Sequence, residues 1–209
     1  LALPRWQFWK PTPGVVAQAA GAQAQMLWSN MLLHAHPDPE SLLRQWHAAL
    51  AVDGYVMFSC LGPDSLRELR AVYAQRGWPP PAHAFTDMHD WGDLLVQAGF
   101  AEPVMDMERI TLTYPDADAV LADLHDLGRN LSPMRHPACR GRGWARHLRL
   151  ALASPDSPLR SSQEGRLSLT FEVIYGHALK PTPRARVATQ TVVPLQDLKA
   201  MLGPRPARD

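Results

Sequence analysis

Carboxylates are missing from the start of this chain. The first acidic residue is Asp38, and only Arg5 and Lys10 carry charge before it. Glycine is nearly as scarce there. Gly14 and Gly21 stand alone before Gly54, so no Gly-x-Gly-x-x-Gly turn precedes the middle of the chain. A second interval without Asp or Glu lies between Asp126 and Asp156. Cysteine numbers two, Cys60 and Cys139, which excludes a disulfide framework and fits a reducing compartment. No apolar run approaches the roughly 20 residues of a membrane span, so no membrane association is expected. The start, Leu1-Ala-Leu-Pro4, has no charged segment leading into an apolar core. No signal peptide is therefore expected, and the expected location is cytoplasmic. The net charge of +1, from 21 Lys and Arg against 20 Asp and Glu, argues against a nucleic-acid binder. His34-Ala35-His36 has no third ligand near it in sequence, so no metal is expected.

What remains is ample for a domain. The 209 residues are 46% hydrophobic and can bury a core without covalent staples. The 20 prolines, about twice the usual share, are scattered as loop punctuation. Met26 to Ser29 reads as a short buried strand. Asp38-Pro39 opens a helix, with Asp38 as N-cap and Leu42, Leu43, Trp46 and Leu50 on one face. Asp53-Gly54 closes it, and Tyr55 to Cys60 is a strand. Gly62-Pro63-Asp64 begins a second helix carrying Leu66, Leu69, Val72 and Tyr73. Further helices are expected over 87–98, 116–127 and 144–153, with Gly99 and Gly128 as stops. Strands are expected over 103–114 and 167–179, and a short terminal helix over 194–202. Strands alternating with helices predict an α/β sheet, and the two late strands predict an antiparallel edge. Trp28, Trp46, Trp78, Trp91 and Trp144 read first as packing residues.

Several runs carry a resemblance. Trp28-Ser29-Asn30, His34 and Asp38-Pro39 come first. The run from Gly54 through Phe58-Ser59-Cys60-Leu61-Gly62-Pro63-Asp64-Ser65-Leu66-Arg67-Glu68-Leu69-Arg70 follows. Then come Asp87 to Phe100, Val104 to Tyr114, and Phe171-Glu172-Val173-Ile174-Tyr175-Gly176-His177-Ala178. Over about residues 24 to 181 the chain resembles class I S-adenosylmethionine-dependent methyltransferases. More narrowly, it resembles the malonyl-acyl-carrier-protein O-methyltransferases of biotin synthesis. The resemblance implies a partial Rossmann-like sheet of about four strands, corresponding to the fourth to seventh of the family. Residues 1–24 would be a tail covering the sheet edge, 25–181 the partial domain with a helical basic insert at 116–166, and 182–209 a tail.

The resemblance also assigns residues. Ser29 and Asn30 would face the cofactor, S-adenosylmethionine. Asn30, His34, Ser59, Gly62, Arg109 and Tyr175 would face the substrate. His34 would position a carboxylate that is already ionised near pH 7. The turn at Gly62 would offer helix-terminal amides to an anion, an N-cap being the plainer alternative. Arg109 in a strand calls for a carboxylate partner. Arg129, Arg135, Arg140, Arg142, Arg146 and Arg149 would dock an acidic acyl carrier protein, a solvated face being the alternative.

The family's Gly-rich turn and its acidic ribose ligand have no counterpart in this chain, and Gln25 stands where the family has an acid. About 24 residues cannot supply three strands and their helices, since one βαβ unit takes roughly 30. Two readings stay open. One is a methyltransferase in which another segment completes the cofactor site. The other is a non-catalytic remnant, binding no cofactor, that forms a homodimer or holds an acidic partner.

Overall fold

A computed structural model of the chain describes residues 23–138, 140–160 and 165–183, with Gln196. Its elements are β1 (Ala24–Asn30), a 3-10 turn (Leu33–Ala35), α1 (Pro39–Ala49), β2 (Leu50–Leu61), α2 (Arg67–Gln75) and α3 (Met88–Gln97). These are followed by β3 (Ala101–Tyr114), α4 (Ala117–Asp126), α5 (Arg142–Ala153) and β4 (Leu167–Leu179). The strands form one sheet in the order β1-β2-β4-β3. β1 and β2 run parallel, and β4 is antiparallel to both its neighbours. This is the mixed α/β sheet that the sequence predicts. The expected terminal helix at 194–202 and nearly all of the tail at 1–24 lie outside the described residues.

Local chemistry explains most boundaries. The Asp38, Asp87 and Asp116 side chains each accept a backbone N–H in the first turn of α1, α3 and α4. Pro103 falls where the β3–β4 register slips, on an outer strand that can forgo a ladder hydrogen bond. Two boundaries differ from expectation. Leu50 is not the last apolar residue of α1. It is the first of β2, fully buried, and the chain passes through Asp53 at φ 63° before the strand settles into register. The helix expected at Gly62 starts only at Arg67, after Leu66 at φ 59°. The intervening residues are held by the sheet instead.

Alternation sorts the strands into two faces. On one, Val56, Phe58 and Cys60 of β2 and Ile174 and Ala178 of β4 pack under Leu43 and Trp46 of α1 and Trp91 and Leu95 of α3. On the other, Leu61, Leu167, Leu169 and Phe171 pack with α2, α4 and α5. That second core covers only the end of the sheet near the carboxyl terminus of β2. Toward the other end the same face is bare among the described residues, with Met26, Met57, Val104 and a 70% exposed Trp28. The packing role read for Trp28 is therefore not met within the described residues, whereas Trp46 and Trp91 are buried and Trp78 and Trp144 pack edge to face on each other.

Gly176 shows how tightly the first face is filled. A Cβ there would lie 2.4 Å from Cζ of Phe58 and 2.8 Å from Sδ of Met105. Gly176→Ala should lower the unfolding free energy by about 1–3 kcal/mol, as overpacking does. Phe58→Leu in the same chain should recover part of that loss, as read by urea titration of both variants.

Candidate functional site

The carboxyl ends of the parallel strands meet at Asn30 and Ser59, which are partners in register. Ser59 Oγ donates to Asn30 Oδ1 at 2.6 Å. The Met31 amide donates to the Ser59 carbonyl at 2.9 Å and also approaches its hydroxyl at 3.2 Å. Met31 takes φ 53°, a conformation that side chains disfavour, and this turns the chain sharply off β1. The 3-10 turn that follows sets His34 against the end of β2. There the Leu61 amide donates to His34 Nδ1 at 3.2 Å. Nε2 therefore carries the ring proton and is the polar ring atom left for a ligand. His83 Nε2 donates to the His34 carbonyl at 2.6 Å, and Phe85 packs its edge on both rings. Burial, with a smaller contribution from the charge of His83, pulls the His34 pKa down to about 4. At neutral pH the ring is an uncharged hydrogen-bond donor.

His34 lines a cavity of about 540 Å³. Its floor comes from Leu61 at the end of β2 and Phe171 of β4. Its walls come from Leu66, Leu69 and Tyr73 at α2, from the loop carrying Pro81, Ala82, His83 and Phe85, and from Leu121 and Leu124 of α4. His125, Arg129 and Asn130 contribute polar groups. This is the usual composition of a small-molecule site, mostly apolar with a few convergent polar groups. His83, Phe85 and Asn130 escaped the sequence reading, and Tyr73 was read only as part of a helix face. The rigid Pro79-Pro80-Pro81 run next to two ring side chains was the available signal.

The turn at Gly62 has a different neighbour. Its amides face a carboxylate of the chain itself. The Asp64 amide donates to Glu172 Oε2 at 2.8 Å, and the Gly62 amide donates to the Glu172 carbonyl at 2.9 Å. A Cβ on Gly62 would stand 2.6 Å from that same Oε2, so the residue must be glycine for Glu172 to seat. Arg109 is half-exposed and bridges Asp64 at 2.9 Å and Glu172 at 3.6 Å. The partner its strand position called for is thus protein. Tyr175 lies on the exposed sheet face, where its hydroxyl donates to Glu108. The structure therefore joins Asn30 to Ser59 and places His34 nearby at Leu61, and of the expected substrate residues His34 alone is among those lining the cavity. Gly62 adjoins them through the end of β2, and Arg109 and Tyr175 stand apart from the cavity.

The basic insert divides. Arg149 pairs with Asp118 and Arg135 donates to the Ser132 carbonyl, while Arg140 stacks over Trp144 at 3.5 Å. Arg129 lines the cavity. Arg142 and Arg146 are exposed and have no ion pair among the described residues.

The described residues do not fit S-adenosylmethionine as a complete site. Ser29 and Asn30 point to opposite faces of β1, with Ser29 beside Phe58 and its buried hydroxyl unpartnered among the described residues. Only Gln23 precedes β1 among the described residues, and residues 23–37 hold no carboxylate for a ribose.

No family model matches the chain. It is 44% identical over 168 residues to the malonyl-acyl-carrier-protein O-methyltransferase of Laribacter hongkongensis, and 42% identical over 167 residues to that of Gallionella capsiferriformans. The alignments take in 80% and 79% of this chain and 54% and 55% of the relatives. The chain is related in sequence to the malonyl-acyl-carrier-protein O-methyltransferases. It spans about half the length of the curated relatives it matches. The crystal structure of a Bacillus halodurans protein described as a methyltransferase aligns with a TM-score of 0.51. That alignment covers 79% of this chain and 68% of that one at 16% identity, a likeness of fold.

The depressed pKa of His34 has a consequence for stability. The ring is protonated in the unfolded chain below about pH 6.5 but resists protonation in the fold until about pH 4. Its contribution is therefore complete above pH 6.5 and is lost as pH falls toward 4. Urea unfolding at a series of pH values should show a smaller loss across that window in His34→Gln than in the parent chain.

Proposed function

We propose that this chain carries the acceptor-binding side of an O-methyltransferase that acts on the free carboxyl of a malonyl thioester held by an acyl carrier protein, a step of biotin precursor synthesis. The cavity at His34 is the observation that carries this reading. It is lined by leucine and aromatic side chains and has an uncharged N–H donor at the carboxyl ends of β1 and β2. Open α/β sheets place their ligands at such strand ends.

A carboxylate nucleophile is ionised at neutral pH and needs no general base. It needs to be held in line and kept from bulk water, which are the effects of orientation and desolvation. His34 suits the first task, because its donor is fixed by the Leu61 amide and the His83 contact. The apolar walls suit the second. S-adenosylmethionine is the methyl donor that the family resemblance implies. Its cradle would have to come from residues other than those described, and the role of this chain's residues is to hold the acceptor.

The insert supplies a docking face. Acyl carrier proteins are acidic, and Arg142 and Arg146 project from α5 without a carboxylate of their own among the described residues. A second reading has its own support. The outer edge of β1 and the sheet face around Trp28, both uncovered among the described residues, suit self-association, which would make the chain a non-catalytic homodimer or a scaffold for an acidic protein.

The two readings diverge in one titration. The methyltransferase reading expects malonyl-acyl carrier protein to bind more tightly than the unacylated carrier. It expects Arg142→Glu with Arg146→Glu to weaken both by about tenfold, mainly by slowing association. Equal binding of acylated and unacylated carrier would favour the scaffold, and unchanged binding in the double variant would remove the docking face.

A further inference from the structure

A second cleft, of about 220 Å³, opens beside the acyl cavity. The two share Tyr73, Pro81 and Asn130 in their walls and are therefore immediate neighbours. Their chemistry differs sharply. The inner cavity is largely apolar, whereas the outer cleft is lined by Arg135, His136 and Arg140, and no carboxylate lines it among the described residues.

The two arginines are held in place. Arg140 lies over the Trp144 ring at 3.5 Å, and that ring packs on Trp78 at 4.3 Å. Arg135 gives one guanidinium nitrogen to the Ser132 carbonyl at 3.3 Å and keeps the rest of its donor fork. The loop beneath is braced by Asn130, which donates to the Pro80 carbonyl at 2.8 Å and accepts from the Ser132 amide at 2.8 Å. Two held guanidinium groups in a cleft beside an apolar cavity suit a phosphate ester with an uncharged chain attached.

We propose that this cleft binds the phosphodiester of the pantetheine arm that carries the acyl thioester, with the acyl end lying in the cavity at His34. The proposal rests on the carrier-protein reading above and deepens it. It separates the basic insert into two parts. Arg135 and Arg140 hold the arm, while Arg142 and Arg146 on the outer helix meet the carrier's own surface.

The test is calorimetric titration of the full chain with two probes, malonyl-pantetheine and malonyl-phosphopantetheine. The phosphorylated probe should bind about tenfold more tightly. In Arg135→Gln/Arg140→Gln that advantage should vanish, with binding of malonyl-pantetheine unchanged. Arg135→Gln alone leaves the Arg140–Trp144 stack intact and should remove part of the advantage. Equal binding of the two probes by the parent chain overturns the subsite while leaving the acyl cavity standing. So does an advantage that persists in the double variant. If neither probe binds, the acceptor reading itself fails and the subsite falls with it.

Discussion

The Glu172 carboxylate is the point on which the site depends. It is 5% exposed, and it sits on the central antiparallel strand facing the turn that leaves β2. Its Oε2 accepts from the Asp64 amide, and Arg109 approaches both Asp64 and Glu172. Its backbone exchanges hydrogen bonds with the Ser65 hydroxyl at 3.0 Å in both directions. The pattern continues down β4. The Leu66 amide donates to the Thr170 carbonyl at 2.7 Å, and Glu68 accepts from both the amide and the hydroxyl of Thr170. Residues 62–68 are thereby fastened to 170–172 before α2 begins. A buried carboxylate stripped of its partners costs several kcal/mol, so the arrangement has little freedom to shift.

That fastening fixes where α2 starts and which way it runs, and so where Leu66, Leu69 and Tyr73 stand. Those three form one wall of the cavity. The opposite wall depends on the strained turn at Met31, which delivers His34 to the Leu61 amide. The donor at His34 and the apolar wall at α2 therefore meet because both are anchored at the same end of the sheet, one to Leu61 of β2 and the other to Glu172 of β4. The helical insert closes the remaining side with Leu121 and Leu124 and brings the arginines to the mouth.

The strands and the capped helices were legible in the sequence because their causes are local. Alternation marks β3 and β4, and an aspartate precedes each of α1, α3 and α4. The Gly62-Pro63-Asp64-Ser65 run was legible as a motif but not as a mechanism. It reads as amides offered to an anion, and the anion seen there is Glu172, 108 residues away from Asp64. Nothing local announces that partner. The same holds for His83 and Phe85, which reach His34 only because the proline-rich loop folds back over the strand ends. Trp28 differs from its packing role because packing is a property of the neighbouring surface, and the sheet face it occupies is bare among the described residues.

The acid-free start and the acid-free interval between Asp126 and Asp156 are two distinct deficits. In that interval, lack of carboxylates leaves Arg142 and Arg146 without an ion pair among the described residues and able to engage an anionic partner. Before Asp38, there is no carboxylate for the ribose contact that the family resemblance implies. The account is thus of an acceptor site built by this chain beside a cofactor site that its described residues do not build. Calorimetric titration of the chain with S-adenosylhomocysteine tests that most directly. The account predicts no saturable binding below millimolar concentration, and micromolar binding would contradict it.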